Sequence, residues 1–163
     1  MRRSDRYRYK LVWDTSALIN IKEPNAEDYS PGNSLWKDLS DGWIRGPYLN
    51  IIPAIAAFEI PAAVSRKRRN GSRMLREFYL MGDNEVLYSI DEKLISAAYK
   101  LVSLPPFDQL RGADLIFACI AKHEDACLVT LDSHFLTLRG QVTVIDLNDS
   151  RDMPRYRESF QMS

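Results

Sequence analysis

The stretch Leu11-Val12-Trp13-Asp14-Thr15-Ser16-Ala17-Leu18-Ile19 sets an acidic residue where a short apolar run gives way to small polar ones. Residues 11–13 read as a buried strand, and Thr15 or Ser16 as the cap of the helix that follows. In an open α/β sheet, ligands bind in the crevice at the carboxyl ends of the strands. Asp14 stands at that edge. Alone, a carboxylate after a strand is more often a turn former or a cap than a catalyst, so the stretch takes its meaning from what the other segments place beside it.

Residues 49–52 form a second apolar run, and Pro53 suits the first turn of a helix, where its missing N–H is not needed. That helix carries Glu59, is expected to kink at Pro61, and ends at Asn70-Gly71. The helical neighbours of Glu59 are Ile55, Ala56, Ala62 and Ala63, and an ionised group on so apolar a face needs a partner or a cation. Between residues 21 and 50, prolines and glycines mark turns around one short helix, starting at Ser30-Pro31 or Asn33-Ser34 and stopping at Gly42. Trp36 and Trp43 read as packing residues. Residues 72–81 fit another helix, and residues 85–88 a third strand. Asp91 then caps a helix with Leu94, Ile95, Ala98, Leu101 and Val102 at the helical period, stopped by Pro105-Pro106.

Residues 112–123 are apolar all round and make a central helix, with Asp114 in the first turn, where the helix dipole favours an acid. Residues 126–130 read as a buried fourth strand, and Asp132 beyond it repeats the position of Asp14. A fifth strand is expected at 141–145, and residues 146–163 carry no core pattern. Strands alternating with helices imply a single-domain α/β/α sandwich around a central, mostly parallel sheet of about five strands. The domain is drawn at 1–147, with 1–8 as a basic N-terminal extension and 148–163 as a polar C-terminal tail.

A chain of 163 residues with 45% hydrophobic and 27% charged residues fits one soluble globular domain. No apolar run is long enough to span a bilayer and no signal-peptide segment follows the N-terminal arginines, so a cytoplasmic protein is expected. Cys119 and Cys127 form neither a disulfide framework nor a metal-ligand spacing. Lys+Arg and Asp+Glu balance at 22 each, but the basic residues cluster at the N-terminus and again at 66–76. Such clusters fit either a footprint for nucleic acid or a solvated face. No glycine-rich dinucleotide fingerprint follows any strand, and Ser16 occupies the place where a haloacid-dehalogenase-type phosphotransferase needs a second aspartate.

Four acids share one description: Asp14 and Asp132 follow buried strands, and Glu59 and Asp114 lie on helices starting from the same end of the sheet. Val12-Trp13-Asp14-Thr15-Ser16-Ala17-Leu18-Ile19, Phe58-Glu59-Ile60, Gly112-Ala113-Asp114-Leu115-Ile116-Phe117-Ala118 and Leu128-Val129-Thr130-Leu131-Asp132-Ser133-His134-Phe135 together resemble the PIN domain family, most closely the VapC-type ribonuclease toxins. The resemblance spans about residues 8 to 147. It implies a Mg²⁺- or Mn²⁺-dependent endoribonuclease acting on single-stranded or looped RNA and leaving a 5′-phosphate. It also implies the toxin of a type II toxin–antitoxin pair, a cognate antitoxin as partner, and a homodimer.

Three or four carboxylates at one pocket repel, so either their pKa values rise or a divalent cation neutralises them. Asp14, Asp114 and Asp132 are the expected metal ligands, Asp14 and Asp114 directly, and Glu59 is a candidate general base. Ser16 and Thr130 would orient them, and Arg66, Arg69 and Arg73 would guide the RNA backbone. The family's last motif often carries another acid two residues after its aspartate. Here His134 stands there, in a supporting role, since histidine also ligates metals. A PIN-like binding module without catalysis, or an RNA-processing nuclease outside a toxin–antitoxin pair, are the alternative readings.

Overall fold

Tyr9–Trp13 (β1) is the strand on which the sheet is centred. The computed structural model describes residues 6–22, 30–44, 46–67 and 82–149, leaving aside the side chains of 22 and 64–67. Four further strands follow, Tyr48–Pro53 (β2), Glu85–Tyr88 (β3), Cys127–Thr130 (β4) and Val144–Asp146 (β5). They lie in the order β3-β2-β1-β4-β5 and every pairing is parallel. A parallel sheet is covered on both faces, which is why Leu11, Val12, Trp13, Leu128 and Val129 are fully buried. The indole of Trp13 donates to the Asn50 side chain on β2 at 2.9 Å, satisfying two polar groups inside the core. Its ring meets Trp36 edge-on at 5.1 Å.

The helices are Thr15–Lys22 (α1), Pro31–Ser40 (α2), Ala56–Lys67 (α3), Glu92–Leu101 (α4) and Ala113–Glu124 (α5), with 3-10 segments at Phe107–Gln109 and Ser133–Leu138. From β1 the chain steps through β2 to β3, then returns across the sheet to β4 and β5. With right-handed crossovers, α1, α2 and α3 cover one face, and α4, α5 and the second 3-10 segment cover the other. The contacts agree, since α1 packs on α2 and α3, and α5 packs on α4 and on that 3-10 segment. The reversal of direction falls between β1 and β4, and a crevice opens at the carboxyl ends of strands at such a point.

Several element ends differ from the sequence expectation. Pro53 closes β2 rather than opening α3, because the β2–β3 pairing runs on to Pro53 opposite Tyr88 and the next N–H, that of Ala54, donates to Tyr88. The helix begins at Ala56 and continues through Pro61 to Lys67. β5 starts at Val144, not residue 141, because the N–H groups of Gln141 and Val142 turn back to the Leu138 carbonyl and close the 3-10 segment. Asp146 and Leu147 are core residues, buried, with the Leu147 N–H on the Thr130 carbonyl. Trp43 is 72% exposed instead of packed, and Ile95 on α4 and Val102 just after it are exposed.

The other boundaries follow the expected signals. Ser30 caps α2 with Pro31 in its first turn, and Asp91 caps α4 by accepting from the Leu94 N–H. The expected helix at 72–81 and the helix stop at Asn70-Gly71 lie outside the described residues. No helix among the described residues is long and apolar enough to cross a membrane.

Candidate active site

Asp14 sits at the end of β1 beside the end of β4, where its own N–H donates to the Val129 carbonyl at 3.1 Å. Its Oδ1 accepts the Ala17 N–H at 2.7 Å, so Asp14 itself caps α1, in place of Thr15 or Ser16. The Ser16 hydroxyl lies 2.8 and 3.0 Å from the two carboxylate oxygens, and the Thr130 hydroxyl donates to Oδ2 at 2.5 Å. Each hydroxyl also accepts a backbone N–H from beyond β4. Thr130 takes that of Asp132 at 2.8 Å, and Ser16 takes that of Leu131 at 3.1 Å. Two small side chains thus tie the first acid to the segment that carries the last.

Asp14 is 3% exposed. Burial pushes its carboxyl up from 3.8 to about 6, against the opposing pull of the Thr130, Ala17 and Ser16 donors, and the nearby Asp132 charge adds to the rise. Asp114, in the first turn of α5, is partly exposed. Its carboxyl is also raised, first by partial burial and then by the charges of Asp132 and Glu59, while His134 lowers it. Among the described residues no donor reaches the Asp114 carboxylate. Glu59, in the first turn of α3, accepts a hydrogen bond from the Thr15 hydroxyl. Asp132 caps the 3-10 segment by accepting the His134 N–H at 2.9 Å.

The four acids are linked pairwise at one end of the sheet, Asp132 acting electrostatically on both Asp14 and Asp114, and Glu59 on Asp114. Among the described residues, the group able to offer ligand atoms all within 4.8 Å of one another is Asp114, Asp132 and His134. Asp14, expected to be a direct ligand, lies outside that triplet, and His134 lies inside it. Thr15 is the residue sequence reading missed, having been considered only as a cap. Its place next to Asp14 was the available signal. The Arg66 side chain, Arg69 and Arg73 lie outside the described residues. A cavity of about 830 Å³ between α4 and the end of α5 contains none of the four acids. Its Lys93, Lys100 and Lys122 are interleaved with Asp91, Glu92 and Glu124, so it lacks the unbalanced charge that marks the acidic crevice.

A family profile described as PIN domain matches residues 11–140, from β1 to the end of the second 3-10 segment. This chain belongs to the PIN domain family. Among solved structures, it is similar to VapBC2 from Rickettsia felis bound to a promoter DNA fragment, at 17% identity and a TM-score of 0.59, over 84% of this chain and 98% of that one. A toxin–antitoxin complex from Klebsiella pneumoniae gives 15% identity and a TM-score of 0.57, over 84% and 97%. FitAcB from Neisseria gonorrhoeae gives 17% identity and 0.60, also over 84% and 97%. At these identities the likeness is one of fold. A comparison with curated proteins found no match. PIN domains are generally nucleases that use divalent metals, and an acidic cluster suited to that chemistry is present here.

Proposed function

We propose that this PIN domain is a divalent-metal-dependent endoribonuclease and the toxin of a toxin–antitoxin pair. The observation that carries the nuclease reading is the Asp114 carboxylate, which lies beside ligand atoms of Asp132 and His134, is raised in pKa first by partial burial and then by the Asp132 and Glu59 charges, and has no hydrogen-bond donor among the described residues. A cation is the economical partner for such a group. The donor set fits Mg²⁺ or Mn²⁺, with Asp114 and Asp132 offering carboxylates and Asp14 an inner charge held by three donors. When bound, such an ion neutralises the scissile phosphate and activates a water for attack on it.

The chain's own residues do the rest. Ser16 and Thr130 hold Asp14 and the Asp132 backbone in fixed relation, and Thr15 holds Glu59 through one oxygen. The other Glu59 oxygen takes the proton of the attacking water. The water oxygen bonds to phosphorus, the P–O3′ bond breaks as O3′ takes a proton from solvent, and the products are a 5′-phosphate and a 3′-hydroxyl. The basic residues at 66–76 guide the RNA backbone, so binding weakens steeply with salt.

The similar structure from Klebsiella pneumoniae is described as a toxin–antitoxin complex, which supports the toxin reading and a protein antitoxin; a homodimer acting in the cytoplasm is proposed along with that reading. The test incubates tRNA, rRNA and messenger fragments with the purified chain, with and without Mg²⁺ or Mn²⁺. Metal-dependent cleavage is expected, lost in Asp14→Asn and Asp114→Asn proteins that remain folded. Unchanged cleavage by both variants overturns the nuclease reading. Salt-sensitive RNA binding without turnover favours the non-catalytic module, for which His134 in the place of an acid is the motive. Growth arrest on expression, relieved by a co-expressed neighbouring small protein, tests the toxin assignment.

A further inference from the structure

We infer that His134 supplies a nitrogen ligand to the cation site, together with Asp114 and Asp132, and that the site in consequence prefers Mn²⁺ to Mg²⁺. The inference rests on the metallonuclease reading and ranks the two ions that reading names. Ligand atoms of the three residues lie within 4.8 Å of one another. The backbone of His134 is fixed on both sides, its N–H donating to Asp132 Oδ1 at 2.9 Å and its carbonyl accepting from the Thr137 hydroxyl at 2.9 Å. Among the described residues the imidazole itself makes no hydrogen bond, and neither does Asp132 Oδ2. The 3-10 turn thus places a ring nitrogen and a carboxylate oxygen beside a carboxylate oxygen of Asp114.

Two carboxylates and a neutral imidazole balance a dication. Mg²⁺ demands a near-ideal shell of oxygens and gives up its waters reluctantly, whereas imidazole suits first-row transition ions. Mn²⁺ accepts both kinds of donor and retains a water-rich octahedral shell. A third carboxylate at position 134 would favour Mg²⁺ by charge and hardness, and the histidine here removes that advantage.

The chain has two histidines, which makes the test specific. His123, in the last turn of α5, is about 13 Å along the helix from Asp114. Metal-stripped full-length protein is titrated with Mn²⁺ alone, free ion is followed by electron paramagnetic resonance, and pulsed spectra are read for coupling to ¹⁴N. Nitrogen coupling is expected in the wild type and in His123→Ala, and absent in His134→Ala. The Mn²⁺ affinity of His134→Ala falls about tenfold or more, the scale on which even outer-shell partners of a ligand act. In His134→Asp, Mg²⁺ competes better, and the Mn²⁺ to Mg²⁺ affinity ratio narrows by about tenfold.

Absence of ¹⁴N coupling in the wild type, its persistence in His134→Ala, or an unchanged metal ratio in both variants overturns the inference. RNA cleavage scored in the same metals separates the two claims. Cleavage without dependence on His134 removes the inference and keeps the nuclease, whereas nitrogen coupling without cleavage does the reverse.

Discussion

Asp14 receives hydrogen bonds from Ala17, Ser16 and Thr130 and is 3% exposed, whereas Asp114, partly exposed at the start of α5, receives none among the described residues. Both carboxyls are raised above their ordinary range. In Asp14 the rise is the cost of burying a charge that the fold partly compensates, and the same bonds knit β1 to β4. In Asp114 partial burial and the Asp132 and Glu59 charges raise the carboxyl, and only the His134 charge opposes them, with no hydrogen bond among the described residues. One acid is built into the scaffold, and the other is left for a ligand.

The sharpest test of that contrast pairs two variants with equal effects on catalysis and unequal effects on the fold. Asp14→Asn and Asp114→Asn should each lower metal-dependent RNA cleavage by about 10²- to 10³-fold, the scale of losing one preorganised charge-stabilising group. Single-turnover cleavage assays check this. If Asp114→Asn retains full activity, the open acid is not the ligand-facing one.

The next effect is on pH dependence. A carboxyl raised from 3.8 to about 6 favours the protonated folded state, so its contribution to stability is full below about 3.8 and lost as pH rises through about 6. At neutral pH the ionised form costs about 3 kcal/mol. In metal-free buffer, denaturation midpoints should therefore fall across that window, and Asp14→Asn should flatten the slope. Thr130→Val removes a donor from Asp14 and an acceptor from the Asp132 N–H in a fully buried place. It should cost about 1–3 kcal/mol in urea unfolding. Smallest of all, Asp114→Asn should leave metal-free stability within about 0.5 kcal/mol, and any change should be a gain from relieved repulsion.

The difference between the two acids also marks what the sequence made legible. Strand–acid junctions at Asp14 and Asp132 could be read because an apolar run stopping at a carboxylate is a local pattern, and the alternation of strands and helices gave the sheet. The helix start carrying Asp114 was equally visible, whereas the helix carrying Glu59 begins at Ala56, three residues beyond the expected proline. The reversal between β1 and β4, on which the convergence depends, required pairing residues more than a hundred positions apart. Which hydroxyl serves which acid was not legible, since Thr15, Ser16 and Thr130 look alike in sequence and only their geometry sends Thr15 to Glu59. Pro53 was misplaced because a proline suits both a helix start and the last position of a strand. The 3-10 segment delayed β5 through backbone bonds to Leu138 that leave no side-chain signature.

The central position of β1 bears on how the protein is made. Its hydroxyl tie to β4 spans 116 residues, and the metal-ligand group closes only with His134. A growing polypeptide on the ribosome thus carries Asp14 and Glu59 long before it owns their counterparts, and the acidic cluster cannot assemble until residue 134 has been added. Any chemistry of that cluster therefore waits on the late part of the chain.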